Sequence, residues 1–106
     1  MCNIYVNADA IIYESRTRSL RIHNVLTTIR LENLFWDVLS EMSARESLST
    51  NEFISKLHDE LVERRGEAPN FASFLRVCCL RYLSLLAGRL EAPQHAAPAA
   101  ALRAVN

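Results

Sequence analysis

The sequence has little of what irregular or cross-linked scaffolds need. Its 106 residues include two glycines, three prolines and three cysteines. So few turn-forming residues exclude a loop-rich fold, and an odd number of cysteines is not typical of a secreted disulfide framework. No apolar run approaches the roughly 18 residues of a membrane-spanning helix, and the N-terminus lacks a basic start followed by a long apolar stretch. We therefore expect a cytoplasmic chain without a membrane segment.

Net charge is also absent, because twelve acidic residues balance twelve basic ones. A neutral chain is not a polycation that coats nucleic acid by charge alone. The charges are nevertheless segregated along the chain. Residues 1–30 carry four arginines against two acidic residues, whereas residues 31–66 carry eight acidic residues against four basic ones.

Motifs for catalysis and cofactor binding are missing. The sequence has no G-x-S-x-G, no phosphate-binding glycine loop and no Cys or His spacing of a zinc site. Cys78 and Cys79 are adjacent, and neighbouring positions of a helix point about 100° apart, so the two thiols do not readily share a metal. We expect no enzymatic activity, no metal and no cofactor, and we interpret the cysteines as buried apolar thiols.

A β-strand is predicted at residues 25–31, where apolar and polar side chains alternate with a period of two. The alternation extends back to residue 19 across a break at His23-Asn24. Because asparagine tolerates positive φ, this break is either a tight turn or a kink. Residues 1–24 are interpreted as a basic arm with short strand-like patches.

After Asn33 the apolar period changes to that of a helix, which should end near Arg45 and have Asn33 as its N-cap. Residues 49–52, Ser-Thr-Asn-Glu, form a capping-box pattern that begins a second helix, and Gly66 can end it. A third helix is predicted within residues 67–90, with Asn70 as its cap.

The third helix carries more apolar residues than one face requires. Val77, Leu80 and Leu83 lie off its main apolar stripe, which predicts a second contact, such as an oligomer interface. Residues 91–106 are rich in alanine, contain two prolines and show no stable period. They are predicted to be a disordered tail.

A single strand followed by two amphipathic helices needs a partner for its backbone groups. Two copies that pair their strands as an antiparallel ribbon would supply that partner, and this is the arrangement of β-ribbon DNA readers. In the alternative arrangement, the N-terminal segment pairs beside the strand and covers the ribbon.

Thr27-Thr28-Ile29-Arg30-Leu31, followed by helix, turn and Ser49-Thr50-Asn51-Glu52, resembles the ribbon-helix-helix superfamily of the Arc and Met repressors. Together with Tyr13–Ser19 and Phe71–Tyr82, the pattern is similar to an alphaproteobacterial subfamily with extensions on both sides of the core. The resemblance implies a mainly α fold with a short β-ribbon. It places a dimeric β-α-α core at residues 25–66, a third helix at 67–90 and an extended N-terminal arm at 1–24.

The function implied by this resemblance is a DNA-binding transcriptional regulator that acts as a homodimer or higher oligomer, with its ribbon in the major groove. The implied DNA contacts are the outward ribbon residues Leu26, Thr28 and Arg30, the start of the second helix at Ser49, Thr50 and Asn51, and the arm residues Arg16, Arg18 and Arg21. The alternative is a protein-interaction or assembly module that reuses the dimer fold. The neutral charge and the apolar third helix favour that alternative.

Overall fold

A computed structural model describes residues 2–88 of the chain. Two short helices, a β-hairpin and three longer helices follow one another. In chain order the elements are α1 (Cys2–Val6), α2 (Ala10–Tyr13), β1 (Ser15–Ile22), β2 (Val25–Glu32), α3 (Asn33–Arg45), α4 (Thr50–Arg65) and α5 (Phe71–Leu86). The predicted fold class, mainly helical with a short β-ribbon, is confirmed. The predicted tail at residues 91–106 lies outside the described residues.

The strand predicted at residues 25–31 is β2, but its partner belongs to the same chain. β1 pairs with β2 antiparallel, from Ser15 opposite Glu32 to Ile22 opposite Val25. His23 and Asn24 form the two-residue turn, with φ angles of 54° and 68°. Two consecutive positive φ angles match the right-handed twist of a hairpin. β2 is therefore not the partnerless strand that the sequence suggested, because the N-terminal segment pairs beside it, as in the alternative arrangement. A ribbon shared by two copies stays a prediction.

The reason for this difference is visible in the sequence of β1. Residues 15–19, Ser-Arg-Thr-Arg-Ser, contain no apolar side chain, so hydrophobic alternation could not reveal the strand. The first half of β1 is stabilised by backbone pairing with β2 and by contacts of its arginines. The signal that pointed to a hairpin was the His23-Asn24 break.

The inner face of the hairpin packs on the three long helices. Leu20 and Ile22 of β1 and Ile29 and Leu31 of β2 are buried there. The helices complete this core with the buried side chains of Trp36, Val38, Leu39, Phe53, Ile54, Leu75 and Cys79. Burial of these side chains is the main favourable contribution to folding, and all of them belong to one chain.

The helix ends follow local sequence signals, with one correction. The predicted capping box of α4 is confirmed, because Ser49 Oγ accepts a hydrogen bond from the Glu52 amide and the Glu52 carboxylate accepts one from the Ser49 amide. Asn33, predicted as the cap of α3, is instead its first helical residue. Its amide donates to the Glu14 carbonyl and its side chain to the Ile11 carbonyl, both at 2.8 Å. Asn33 therefore attaches α2 to α3.

Asn70 precedes α5 as predicted, but in a left-handed conformation and without a side-chain capping bond. The turn between α3 and α4 also uses a left-handed residue, because Ser47 has a φ of 59°. This is the place where the resembled superfamily commonly has glycine. α5 then packs through Leu75 and Cys79, which are fully buried.

The hairpin turn provides a test of the fold. Asn24→Val places a β-branched residue in the left-handed region and should lower the free energy of unfolding by about 1–2 kcal/mol. Asn24→Gly, the matched control, relieves the same conformation and should not destabilise the protein. Urea denaturation of both variants measures the effect. Equal stability of the valine and glycine variants would contradict this turn geometry.

Candidate nucleic-acid interface

The outer face of the hairpin is polar, and nothing in the described chain covers it. The alternation of β2 directs Leu26, Thr28 and Arg30 outward, and all three are exposed. The pairing register sets Arg21, Ser19 and Thr17 of β1 opposite them, in that order. Side chains directly opposite each other in an antiparallel pair share a face, so the six residues form one surface. This surface is called the ribbon face below.

Thr17 and Ser19 also belong to this face, although the sequence alone did not indicate them. Residues 1–24 were expected to form an arm, and an arm has no fixed side-chain directions. Ser19 Oγ and Thr28 Oγ1 lie 3.3 Å apart at the centre of the ribbon face. A hydroxyl can donate or accept, so this pair can match either kind of base edge.

Arg16 and Arg18 do not belong to the ribbon face, although the resemblance implied that they contact DNA together with Arg21. They lie in register with Leu31 and Ile29, on the opposite side of the hairpin. The Arg18 guanidinium stacks over the ring of Trp36, with 4.9 Å between the guanidinium carbon and the ring centroid. The indole nitrogen of Trp36 donates to the Arg16 carbonyl at 2.9 Å. β1 is thereby held against α3, and these arginines are parts of a strand.

The predicted helix-start residues lie next to Arg18. Arg18 Nη2 donates to Asn51 Oδ1 at 3.4 Å, which brings this arginine to the first turn of α4. The amides of Thr50 and Asn51 belong to the helix start, where backbone donors have no intrahelical partner. The pKa of the Glu52 carboxyl is lowered by its hydrogen bonds to the amide and hydroxyl of Ser49. The first turn therefore combines free donors and a guanidinium with one nearby carboxylate.

Arg21 belongs to the ribbon face and also reaches the turn of the hairpin. Its Nη1 atom donates to the Asn24 carbonyl at 3.2 Å. The side chain lines a shallow cleft that it shares with Asn51, Lys56 and Asp59 of α4. Arg21 is exposed, so this single hydrogen bond can be exchanged for another partner.

The tip of the hairpin is tied to α4. His23 Nε2 and Asp59 Oδ1 lie 2.5 Å apart. With the Arg18–Asn51 contact, this gives two attachments to the same helix, one from the middle of β1 and one from the turn that follows it. The ribbon face and the first turn of α4 are consequently held in a fixed relation to each other.

Glu32 adds a negative charge to the end of the strand that carries Arg30, and α5 compensates it. Arg76 Nε donates to Glu32 Oε1 at 2.9 Å. This hydrogen bond is the main reason why the pKa of the Glu32 carboxyl is lowered, and the charge of Arg30 contributes to a smaller extent. Because Arg76 pairs with Glu32, Arg30 keeps its guanidinium available for an external partner.

Metal-ligating side chains and thiols were compared over the part of the chain that the structure describes. Within residues 2–88, no group of three or more His, Cys, Asp or Glu side chains is arranged to hold a metal ion. Burial raises the pKa of Cys78 to about 11 and that of Cys79 to about 12, so both thiols are protonated and unreactive near neutral pH. No helix in this part of the chain is both long enough and apolar enough to cross a bilayer.

The Glu32–Arg76 pair predicts a pH dependence of stability. A lowered folded-state pKa stabilises the fold above the ordinary glutamate pKa, and this contribution is lost as the pH falls through the folded value. Both side chains are about one-third exposed. Arg76→Met should therefore lower the free energy of unfolding by only about 0.5–1 kcal/mol at pH 7.

The difference from the unmodified protein should shrink below about pH 4. Urea denaturation across this range measures it, and Arg81→Met on the same helix is the control, because Arg81 is exposed and the Glu32 carboxylate pairs with Arg76. A difference that stays constant down to pH 3 would show that Arg76 acts through packing alone.

Comparison with known proteins agrees with this geometry. The ribbon-helix-helix domain family matches residues 15–83, from the start of β1 into the last turns of α5. No curated protein matches the chain. Among solved structures, an uncharacterized protein from Bordetella pertussis Tohama I is 51% identical, with a TM-score of 0.81 over 98% of this chain and 83% of that chain. The family match covers more than half of the sequence, and the chain therefore belongs to the ribbon-helix-helix domain family.

Proposed function

We propose that this protein is a DNA-binding transcriptional regulator without enzymatic activity that acts in the cytoplasm. The observation that carries the proposal is the ribbon face, an exposed two-stranded surface that presents hydroxyls and arginines from a rigid hairpin. The fold family is of a DNA-binding type, and a two-stranded ribbon fits the major groove. A stable module with no catalytic cluster among its described residues suits recognition better than chemistry.

In this proposal the ribbon face reads bases. Arg30 forms a bidentate contact with guanine, which is the commonest specific contact of arginine in the major groove. Thr28 bonds a base edge or contacts a thymine methyl, and Leu26 makes an apolar contact.

A second group of residues, at the start of α4 and on β1, is the proposed contact with the DNA phosphate backbone. The free amides of Thr50 and Asn51, after the cap residue Ser49, meet a phosphate at the positive end of α4. Arg18 adds its charge at the same place. Arg16 is exposed on the same side of the hairpin as Arg18 and supplies a further phosphate contact.

We propose further that the protein self-associates as a homodimer through α5. Val77 and Leu80 are 52% and 54% exposed, and Leu83 is also exposed. Spacings of four, three and four residues separate Ser73, Val77, Leu80 and Ser84, and this is the period of a helix-packing seam. The hairpin is complete within one chain, so this contact leaves the ribbon face of each copy free.

The second candidate function is a protein-interaction module that does not bind DNA. The observation that favours it is the exposed apolar surface of α1 and α2, where Ile4, Tyr5, Val6, Ile11 and Tyr13 are each more than half exposed. Large exposed apolar side chains that are concentrated in one segment are typical of contact surfaces for other proteins.

Binding of duplex DNA at low salt tests the main proposal. Arg30→Ala should weaken specific binding by about 1–3 kcal/mol if the arginine reads a guanine. Arg16→Ala should weaken binding to all duplexes alike and reduce the salt slope by about one. Fluorescence anisotropy over a salt series measures both effects.

Arg81→Ala removes the same charge from α5 and should leave specific binding unchanged. Each variant must first show the melting temperature of the unmodified protein. If the unmodified protein binds no duplex even at low salt, the proposal fails and the interaction module becomes the better explanation.

Leu80→Glu tests the self-association surface. The charge should prevent contact between two α5 helices and lower the mass measured by light scattering to that of one chain. Because the core lies within one chain, the variant should keep its circular dichroism spectrum. Ile4→Glu, a similar change on the exposed surface of α1, should leave the mass unchanged. If Ile4→Glu reduces the mass and Leu80→Glu does not, the copies meet through the N-terminal helices instead.

A further inference from the structure

A cleft separates α4 from the strand β1 that runs beside it. Arg18 of β1 donates to Asn51 in the first turn of α4, and His23, just after β1, lies 2.5 Å from Asp59 two turns further along the helix. Between these attachments the cleft has a volume of about 380 Å³ and is called the β1–α4 cleft below. Because Asn51 lines it, the cleft leads from the proposed phosphate contact at the start of α4 towards the hairpin turn.

Charged side chains of both signs line this cleft, namely Arg21, Glu52, Lys56 and Asp59. The Glu52 carboxylate accepts a hydrogen bond from the Ser49 amide and is thereby part of the helix cap. Lys56 Nζ lies 3.7 Å from Glu46 Oε1, and both side chains are half exposed, so this is a weak surface ion pair. Asp59 is therefore the carboxylate of the cleft that contacts the hairpin.

Asp59 sets the charge balance at the hairpin end of the β1–α4 cleft. With Asp59 present, two cations are balanced by two carboxylates, and without it the cleft would have an excess of positive charge. The Arg21 guanidinium donates to the Asn24 carbonyl, which is uncharged, and so keeps its full charge for an anion. The Asp59 side chain is 49% exposed, so its own charge acts on any anion that approaches from solvent.

A duplex bound at the start of α4 brings further phosphates towards this cleft. Asn51 and Asp59 are eight residues apart in the sequence, which is roughly 12 Å along the axis of α4. A DNA strand has one phosphate per 3.4 Å of its axis, so about three more phosphates span this length if the strand follows the helix. The Asp59 carboxylate repels the phosphates at the far end of that path.

We propose that Asp59 is a specificity-determining residue that acts by repulsion. Its carboxylate prevents the DNA backbone from entering the β1–α4 cleft, where Arg21 and Lys56 would otherwise bind phosphate without regard to sequence. The inference rests on the proposed function and deepens it. An unfavourable charge directed against the wrong complex is a general route to specificity.

Repulsion at this place discriminates because the two kinds of complex hold the backbone differently. In a specific complex, base contacts fix the register of the duplex, and its backbone stays at the start of α4. A sequence-independent complex derives almost all of its binding free energy from phosphates and settles wherever cations are available. Asp59 therefore weakens the second kind of complex more than the first.

The test compares duplex binding by Asp59→Asn and by the unmodified protein, using fluorescence anisotropy over a salt series. One probe is a random-sequence duplex, and the other is a duplex enriched from random sequences by the unmodified protein. Asp59→Asn should bind the random duplex roughly 3- to 10-fold more tightly at low salt, with a salt slope steeper by about one. Its affinity for the enriched duplex should change by less than about twofold, so the ratio of the two affinities falls.

Three further variants separate the charge of Asp59 from its attachment to the hairpin. Glu60→Gln removes the same charge from the next, exposed residue, about 100° around α4, and should have little effect. His23→Ala breaks the contact with the turn but keeps the carboxylate, so binding of the random duplex should not rise. Asp59→Glu keeps the charge and should bind the random duplex as weakly as the unmodified protein. Circular dichroism must show that each variant is folded at the assay temperature.

The outcomes separate this inference from the proposed function. If neither the unmodified protein nor Asp59→Asn binds any duplex at low salt, both fail. If the unmodified protein binds but Asp59→Asn gains no affinity for the random duplex, or if Glu60→Gln gains as much, only the inference is overturned. An equal gain in His23→Ala would show that release of the turn strengthens binding, which also overturns it. If duplexes bind but no sequence is enriched, there is no discrimination for Asp59 to determine, and the inference is wrong.

Discussion

The antiparallel pairing of β1 with β2 is the interaction on which the rest of the structure depends. A two-residue turn in the left-handed region joins the strands, and this places four aliphatic side chains of one hairpin on one face. That apolar face gives α3, α4 and α5 a common surface to pack against. The same pairing directs the hydroxyls and arginines of both strands to the opposite face. A shift of one residue in register would exchange the two faces and destroy the core and the ribbon face together.

Pairing of β1 with β2 in one chain also gives α5 a surface of the hairpin to pack against. A two-stranded ribbon with two helices has few apolar side chains to bury, and a small domain is correspondingly marginal. α5 supplies Leu75 and Cys79, which fill the core from within the same chain. It also supplies Arg76, which pairs with Glu32 at the end of β2. One helix therefore contributes both to the packing beneath the ribbon and to the charge balance beside it.

The parts of this fold that could be predicted from sequence are those encoded locally. The alternation of residues 25–31, the capping box at Ser49 and the end of α4 at Gly66 depend on neighbours within one turn or one strand, and the structure has them where the sequence indicates. The first half of β1 could not be predicted, because the pairing of residues 15–19 depends on a partner strand rather than on their own apolar pattern. For the same reason, the sequence did not show that Arg16 and Arg18 lie on the side of the hairpin opposite to the ribbon face. The alignment of Ser19 with Thr28 also depends on the pairing register and could not be predicted without it.

The contact between Trp36 and β1 has a practical consequence for spectroscopy. The chain has one tryptophan, and its side chain is 1% exposed. Its indole nitrogen bonds the backbone of β1 and its ring lies under the Arg18 guanidinium, so its emission responds to any separation of the hairpin from α3. Intrinsic fluorescence of the unlabelled protein is consequently a local reporter of hairpin docking. It can distinguish an opening of the ribbon from a global loss of helix, which circular dichroism records.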